Sequence, residues 1–295
     1  MWVSGLELWQ WRNIAQKAAI AAQISPAEVD WLLQELAGLD KLALRLESFK
    51  DLPQIQIQLS LQELDLLWQR RLYERLPVQY IAAVAPWRLF KVAVSPSVLI
   101  PRPETECLID LTVAAVKNSN HNLEQGHWAD LGTGSGVIAL GLADALPRAI
   151  IHAVDYSLEA KAIAQMNADN FGFADRIKFY QGSWWEPLKF LQGQVSGMVA
   201  NPPYIPSSLV PQLQPEVAHE PQLALDGGVD GLDCIRHLIE TSPAYLQPGG
   251  IWLIEMMAGQ AQIVVELLQN QGSYCNIEIH ADLAGIERFA LANRC

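Results

Sequence analysis

The sequence predicts an α/β protein with a doubly wound, mostly parallel sheet whose last strand runs antiparallel, preceded by a small helical domain. Three observations carry that prediction. From about residue 104 onward, strand-length apolar runs alternate with helical patterns, as in parallel βαβ units. The first of these runs ends in a glycine-rich turn, Asp130-Leu131-Gly132-Thr133-Gly134-Ser135-Gly136. Residues 1–76, by contrast, carry helical spacing and no strand pattern.

In chain order, Ser25-Pro26-Ala27-Glu28 reads as an N-cap serine, a proline at the first helical position and a glutamate at N3. The helix it opens should stop near Gly38. Ser60-Leu61-Gln62-Glu63 repeats the capping box, with Leu59 able to staple onto Leu64. Leu61, Leu64, Leu67, Trp68, Leu72 and Leu76 then form one apolar stripe ended by Pro77. Such stripes read as bundle core, with a docking face for a protein partner as the functional alternative. Arg88 to Val94 alternates as a strand does, which predicts a β-hairpin. The expected organisation is a helical bundle over 1–76, a hairpin linker over 77–103 and an α/β domain over 104–295. In that domain strands are expected at 127–131, 149–155, 177–182, 195–200, 249–256, 274–281 and 288–293. Helices near 104–117, 135–145, 157–171, 232–245 and 259–271 flank or separate them. No helix fits between the last two strands, so they should pair antiparallel.

Composition narrows the function classes. Of 295 residues, 51% are hydrophobic and 18% charged, which excludes disorder and allows a large core. The net charge is −12, and residues 111–295 carry 9 basic against 19 acidic side chains. That balance disfavours a protein that tracks duplex phosphate and suits a cationic small molecule. No apolar run approaches the roughly 20 residues of a membrane helix. No basic segment precedes an apolar stretch at the N-terminus, so a cytoplasmic protein is expected. Cys107, Cys234, Cys275 and Cys295 are far apart, and neither a disulfide framework nor a metal site is expected.

The chemistry should sit at strand ends. Glycines after the first strand let backbone approach a ligand closely. A dinucleotide fingerprint would want glycine at 137, which is Val137. The spacing of Gly132, Thr133, Gly134, Ser135 and Gly136 fits an S-adenosylmethionine loop better, a purely structural glycine turn being the bland reading. Asp155 ends the second strand, where a carboxylate can accept both ribose hydroxyl protons; otherwise it serves a helix N-terminus. Trp184 can stack on adenine, or, like Trp185, be core. Asn201-Pro202-Pro203-Tyr204 ends the fourth strand. Its prolines fix extended backbone whose carbonyls can face a cavity, Asn201 adds a side-chain acceptor and Tyr204 an aromatic face. Together Asn201, Pro202, Pro203 and Tyr204 read as a clamp for a planar group bearing an NH2.

At this point the sequence resembles a known family. The glycine loop with Asn201-Pro202-Pro203-Tyr204 is similar to class I methyltransferases that act on amide or exocyclic amine nitrogens. More narrowly, IPRPETE (100–106) and HEPQLALDGGVDGLD (219–233) resemble the HemK/PrmC release-factor glutamine N5-methyltransferases, as do QY (79–80) and DLAGIER (282–288). The resemblance runs from about Pro77 to Arg294, and a helical N-terminal region fits it too. Ser183 stands where that family usually has Asp.

The resemblance implies a class I methyltransferase fold and S-adenosylmethionine as cofactor, with S-adenosylhomocysteine as product. It implies methyl transfer to the side-chain nitrogen of the glutamine in the Gly-Gly-Gln motif of peptide-chain release factors, a step tied to translation termination. Catalysis would fall to Asn201, Pro202 and Tyr204. Cofactor binding would fall to residues 132–136, Asp155, Trp184 and Asn201. The expected partner is a release factor, with no direct nucleic acid, no membrane and a monomeric state. The rivals are a glutamine methyltransferase of a large-subunit ribosomal protein, an adenine-N6 nucleic-acid methyltransferase and a non-enzymatic binding module.

Overall fold

The computed structural model describes residues 1–295. The chain divides into two compact units, Met1–Val84 with Gln214–His219, and Ala85–Leu213 with Glu220–Cys295. The first unit contains β1 (Trp2–Val3), α1 (Gly5–Ala21), α2 (Ala27–Ala37), α3 (Lys41–Leu46), β2 (Ile55–Gln56), α4 (Leu61–Tyr73) and α5 (Val78–Ala82). The tiny β1 and β2 pair antiparallel and were not foreseen. The capping box of α4 forms, with Ser60 N donating to Glu63 Oε2 at 2.8 Å and Glu63 N to Ser60 Oγ at 3.2 Å. A second box, Ser4 with Glu7, opens α1.

The box expected at Ser25 does not form. Helix α2 starts after Pro26 with no side-chain cap: Glu28 N donates to the Ser25 carbonyl at 3.1 Å, and the Glu28 carboxylate is taken by Arg71 through two bonds of 2.6 and 2.9 Å. Buried Arg71 also donates to Glu216 at 2.8 Å, so the six residues 214–219 belong with the helices although they lie far along the chain. Gly38 ends α2 in the left-handed region. Leu64, Trp68 and Leu76 are buried with Leu32, Leu33 and Phe49. Helix α4 stops at Tyr73, before Pro77, yet the unit runs on past residue 76. Val78 and Ile81 of α5 enter the same core.

The second unit holds β3 (Val84–Trp87) from Ala85 on, β4 (Phe90–Ala93), α6 (Cys107–Asn118), β5 (Gln125–Leu131), α7 (Val137–Ala145), β6 (Arg148–Asp155), α8 (Leu158–Asn170), β7 (Ile177–Gln181) and β8 (Val195–Ala200). It continues with α9 (Asp233–Thr241), β9 (Leu246–Glu255), α10 (Ala261–Gln271), β10 (Tyr274–Ala281) and β11 (Glu287–Arg294). The expected hairpin is β3–β4, confined to residues 84–93. The large sheet has the order β10-β11-β9-β8-β5-β6-β7. Strand β11 inserts antiparallel between β9 and β10; the neighbours from β9 to β7 pair parallel. Strand β8 is buried along its whole length, as a central parallel strand must be. No helix is long and apolar enough to cross a membrane.

This order fixes where a ligand can bind. Progression away from β5 runs through β6 and β7 on one side and through β8 and β9 on the other. The loops leaving the carboxyl ends of β5 and β8 therefore diverge and leave a crevice between them. The first of those loops is the glycine turn, and the second is Asn201-Pro202-Pro203-Tyr204.

Candidate active site

The glycine turn is held by its own backbone and by two acids. Gly132 N and Thr133 N both donate to Val154 O at 2.9 Å, which lays the turn across the end of β6. Asp130 is fully buried. Its Oδ2 accepts from Thr133 Oγ1 at 2.5 Å and from Ala139 N at 3.0 Å, while its Oδ1 has no partner. Burial pushes this carboxyl up to about 7, against those two hydrogen bonds. Asp155 accepts from Gly134 N (2.8 Å) and Ser157 N (2.9 Å), and burial holds it above the usual carboxylate range. Each of its oxygens keeps a lone pair beyond those bonds.

The glycines differ in what they do. Gly134 has φ +55°, and a Cβ there would meet nothing within 4 Å, so bare backbone faces open space. A Cβ on Gly136 would instead lie 3.0 Å from Ala164 Cβ, so that glycine lets α8 pack against the loop rather than facing the cavity. Asn167, buried on α8, completes the support by donating to Ser135 O (2.8 Å) and Ala93 O (3.0 Å).

Gly132 lies against the indole of Trp184, whose Cζ3 would be 3.5 Å from a Cβ added there. Trp184 has φ +49°, a left-handed conformation that costs a bulky residue roughly 1–3 kcal/mol and persists only where surroundings impose it. The neighbouring Trp185 is core, stacked on Tyr245 with ring centroids 4.4 Å apart.

One cavity of about 360 Å3 gathers Gly132, Thr133, Gly134, Ser135, Asp155, Trp184, Asn201 and Pro203. Ser183 lines it as well. Three of the residues singled out in the sequence stand back from it. Gly136 faces α8 as described, and Pro202 is buried behind the loop. Tyr204 turns its hydroxyl to Glu255, donating to Oε1 at 3.0 Å, and that burial beside an acid raises the phenol.

The sequence reading missed several supports of the clamp. Asn201 Nδ2 donates to Thr105 Oγ1 at 3.2 Å, and Thr105 Oγ1 to Glu255 Oε2 at 2.7 Å. Gln260 Nε2 donates to Tyr204 O (3.1 Å) and Gly231 O (3.2 Å). Ile205 N and Gly227 N make a ladder with Leu225 O and Ile205 O, so the 219–233 motif is a strut beneath the clamp. A Cβ on Gly231 would sit 2.3 Å from Tyr204 O, which is why that strut needs glycine. Arg102, at the cavity wall, donates to buried Glu220 at 2.6 Å. A visible signal existed for Glu255, a lone acid ending the apolar run Ile251-Trp252-Leu253-Ile254.

Comparison with known proteins agrees with this geometry. A family described as the Methyltransferase small domain matches residues 109–220. The chain is 52% identical to the release factor glutamine methyltransferase of Synechocystis sp. over 98% of its own length and 97% of that protein's. It is 48% identical to the protein of the same name from Thermosynechococcus vestitus, over 98% and 99% of the two chains. For that of Geobacter sulfurreducens the identity is 36%, over 95% and 92%. Among solved structures, the hMettl16 catalytic domain in complex with the MAT2A 3'UTR hairpin 6 superposes with a TM-score of 0.56 at 13% identity, covering 81% of this chain and 84% of that one. That likeness speaks for the methyltransferase fold alone. The near-full-length matches, joined to a glycine turn and an Asn-Pro-Pro-Tyr loop on one crevice, establish that the chain belongs to the release factor glutamine methyltransferase family.

Proposed function

We propose that this chain transfers the methyl group of S-adenosylmethionine to the side-chain amide nitrogen (N5) of the glutamine in the Gly-Gly-Gln motif of peptide-chain release factors. One observation carries the reading beyond family membership: Asn201 spends its NH2 on Thr105 and lines the cavity shared with the glycine turn. Its carbonyl oxygen remains as an acceptor for a substrate NH2.

The residues present fit the cofactor. Gly134 offers uncovered backbone to the cavity, and Asp155, which lines it, keeps acceptor capacity beyond its bonds to Gly134 and Ser157. Residues 132–135 would hold the amino-acid end, Asp155 the ribose and Trp184 the adenine, with Gly136 acting only through the packing of α8. When bound, the cofactor supplies an electrophilic methyl on a sulfonium that becomes neutral on transfer.

The chain's own residues would then solve the harder half of the problem. An amide nitrogen is a poor nucleophile because its lone pair is delocalised into the carbonyl. Asn201 Oδ1, at the cavity wall, would accept one of its N–H bonds and so turn the lone pair toward the methyl. Positive charge grows on nitrogen as its bond to the methyl forms, and the fixed dipole already aimed there stabilises it without reorganising. The nitrogen then releases one of its two protons to solvent, leaving a neutral N-methyl amide. Holding both partners in line supplies much of the remainder. In this reading the helical unit recognises the release factor, and the protein works as a monomer in the cytoplasm.

The test is mass spectrometry of a purified release factor after incubation with this protein and S-adenosylmethionine, beside a large-subunit ribosomal protein and a DNA acceptor. One added methyl on the Gly-Gly-Gln glutamine is expected. Methylation of only the ribosomal protein or of adenine would overturn the assignment.

A further inference from the structure

The clamp depends on an ambiguity that the backbone alone does not resolve. The amide of Asn201 is planar, and its NH2 and carbonyl ends have nearly the same size and shape. Turned one way it offers an acceptor to the cavity; turned the other it offers two donors, which a substrate NH2 would repel. Something must choose.

The choice is made two residues away. Glu255, at the end of β9, is 2% exposed and Thr105, just before α6, is 3% exposed. An ionised carboxylate only accepts hydrogen bonds. Glu255 receives one at Oε2 from Thr105 Oγ1 (2.7 Å) and one at Oε1 from Tyr204 (3.0 Å). The threonine hydroxyl has a single proton, and it is committed to Glu255. Toward Asn201 it therefore presents a lone pair, and Asn201 answers with its NH2 at 3.2 Å. The direction of donation runs Asn201 to Thr105 to Glu255, and it cannot reverse while Glu255 is charged. We infer that Thr105 and Glu255 are positioning residues that fix which end of the Asn201 amide meets the substrate, so that the buried carboxylate sets the acceptor used in methyl transfer without touching the substrate itself. This inference rests on the reading of Asn201 as the substrate-amide acceptor.

A carboxylate buried at this depth needs such compensation. Burial raises Glu255 above the usual carboxylate range, against the two hydroxyls and the charge of Arg288. Leaving one buried partner unsatisfied is costly, which makes the network all-or-none in its orientation. With valine at 105, the NH2 of Asn201 would face a methyl group, and the amide would instead turn its NH2 to the cavity. The competent orientation then becomes the minor one.

Six full-length variants test this: Thr105→Val, Thr105→Ser, Asn201→Ala, the Thr105→Val/Asn201→Ala double, Glu255→Gln and the Glu255→Gln/Thr105→Val double. Each is assayed for kcat and KM on intact release factor, for S-adenosylhomocysteine affinity by calorimetry, and for Tm. Thr105→Val should lower kcat/KM by roughly tenfold or more with cofactor affinity little changed. Thr105→Ser, which keeps the hydroxyl, should recover most of that loss. In the Asn201→Ala background Thr105→Val should cost nothing further, because it acts through that amide. Glu255→Gln has one acceptor oxygen for two hydroxyls and should lower kcat/KM only while Thr105 is present. Unchanged kcat/KM in Thr105→Val, or fully additive losses in the Thr105→Val/Asn201→Ala double, overturns the inference.

A readout independent of turnover separates this inference from the reading beneath it. In protein carrying 15N-labelled asparagine, the Asn201 Nδ2 protons should show an NOE to the Thr105 side chain that is lost in Thr105→Val. Absence of that NOE in the wild type overturns the orientation chain. Its presence in a protein that leaves the release-factor glutamine unmethylated overturns the functional reading and leaves the chain standing.

Discussion

Gly134 donates its backbone N–H to Asp155 Oδ2 at 2.8 Å, which joins the turn after β5 to the end of β6. Two features that lie 21 residues apart are thus one piece of structure. The bond uses one lone pair of the carboxylate, and Ser157 N uses another on Oδ1 at 2.9 Å. Asp155 therefore both shapes the glycine turn and retains acceptor capacity toward the cavity it lines.

Asp155→Ala should weaken S-adenosylhomocysteine binding on both counts. Charge-assisted hydrogen bonds to ribose hydroxyls are worth roughly 1.5–3 kcal/mol each. Loss of the Gly134 contact also loosens the turn. Isothermal calorimetry should show at least about tenfold weaker binding. Unchanged affinity would remove Asp155 from the cofactor site.

A chain starting at Ala85 tests the role of the helical unit. Every residue lining the cavity belongs to the other unit, so S-adenosylhomocysteine affinity should hold within about threefold. Turnover on an intact release factor should fall at least about tenfold while a short Gly-Gly-Gln peptide is methylated at an unchanged rate. Calorimetry and circular dichroism first establish that the shortened chain folds. Full-rate methylation of intact release factor would end the recognition role.

The sheet's strands were legible because the central ones are apolar runs punctuated by Gly, Asp and Pro and separated by helical patterns. The glycine turn and the clamp could be read for the same reason, since each is contiguous in sequence. What escaped was whatever joins distant positions. Thr105 and Asn201 are 96 residues apart, and Thr105 and Glu255 are 150 apart. No periodicity marks such a triad. The sequence places residues 214–219 within the α/β domain, yet Arg71 and Arg75 bind Glu216 within the helical unit. Tyr204 was expected to offer its ring to the ligand, but its hydroxyl needed a buried acceptor and found Glu255.

Acid should destabilise the protein partly through His152. This residue is buried on β6, with its Nε2 2.9 Å from His127 Nδ1 and its Nδ1 3.1 Å from the Tyr180 hydroxyl. Burial, and then the charges of His127 and Lys178, lower it from 6.5 to about 4. A depressed folded value means the native state binds fewer protons than the unfolded chain between those limits. The contribution is complete above about pH 6.5 and is lost as pH falls toward 4, with a limiting slope of about 1.4 kcal/mol per pH unit. Asp130, raised to about 7, acts in the opposite sense and favours the folded state at lower pH. The wild-type profile mixes both, so the difference between wild type and His152→Phe isolates the histidine. Urea unfolding at pH 7 and pH 5 should show a smaller loss for His152→Phe. Equal losses would mean that His152 is not neutral in the folded protein.

Asn201→Ala addresses the chemistry itself. The substitution removes an acceptor whose interaction strengthens as charge grows on the substrate nitrogen, so the loss should appear in kcat more than in cofactor affinity. Removing one preorganised oxyanion-hole donor lowers turnover in acyl transfer by roughly 10²–10³-fold, and by analogy a loss of that order is expected here. Asn201→Asp is the subtler variant. It keeps an oxygen toward the substrate but replaces the NH2 that Thr105 accepts from, so two oxygens meet across that 3.2 Å contact unless one carries a proton. Partial activity that rises as pH falls is therefore expected of it, whereas Asn201→Ala should show no such rise. Steady-state rates on intact release factor between pH 6 and 8 separate the two. Near-normal turnover in Asn201→Ala together with weakened S-adenosylhomocysteine binding would move Asn201 out of the clamp and into the cofactor's surroundings.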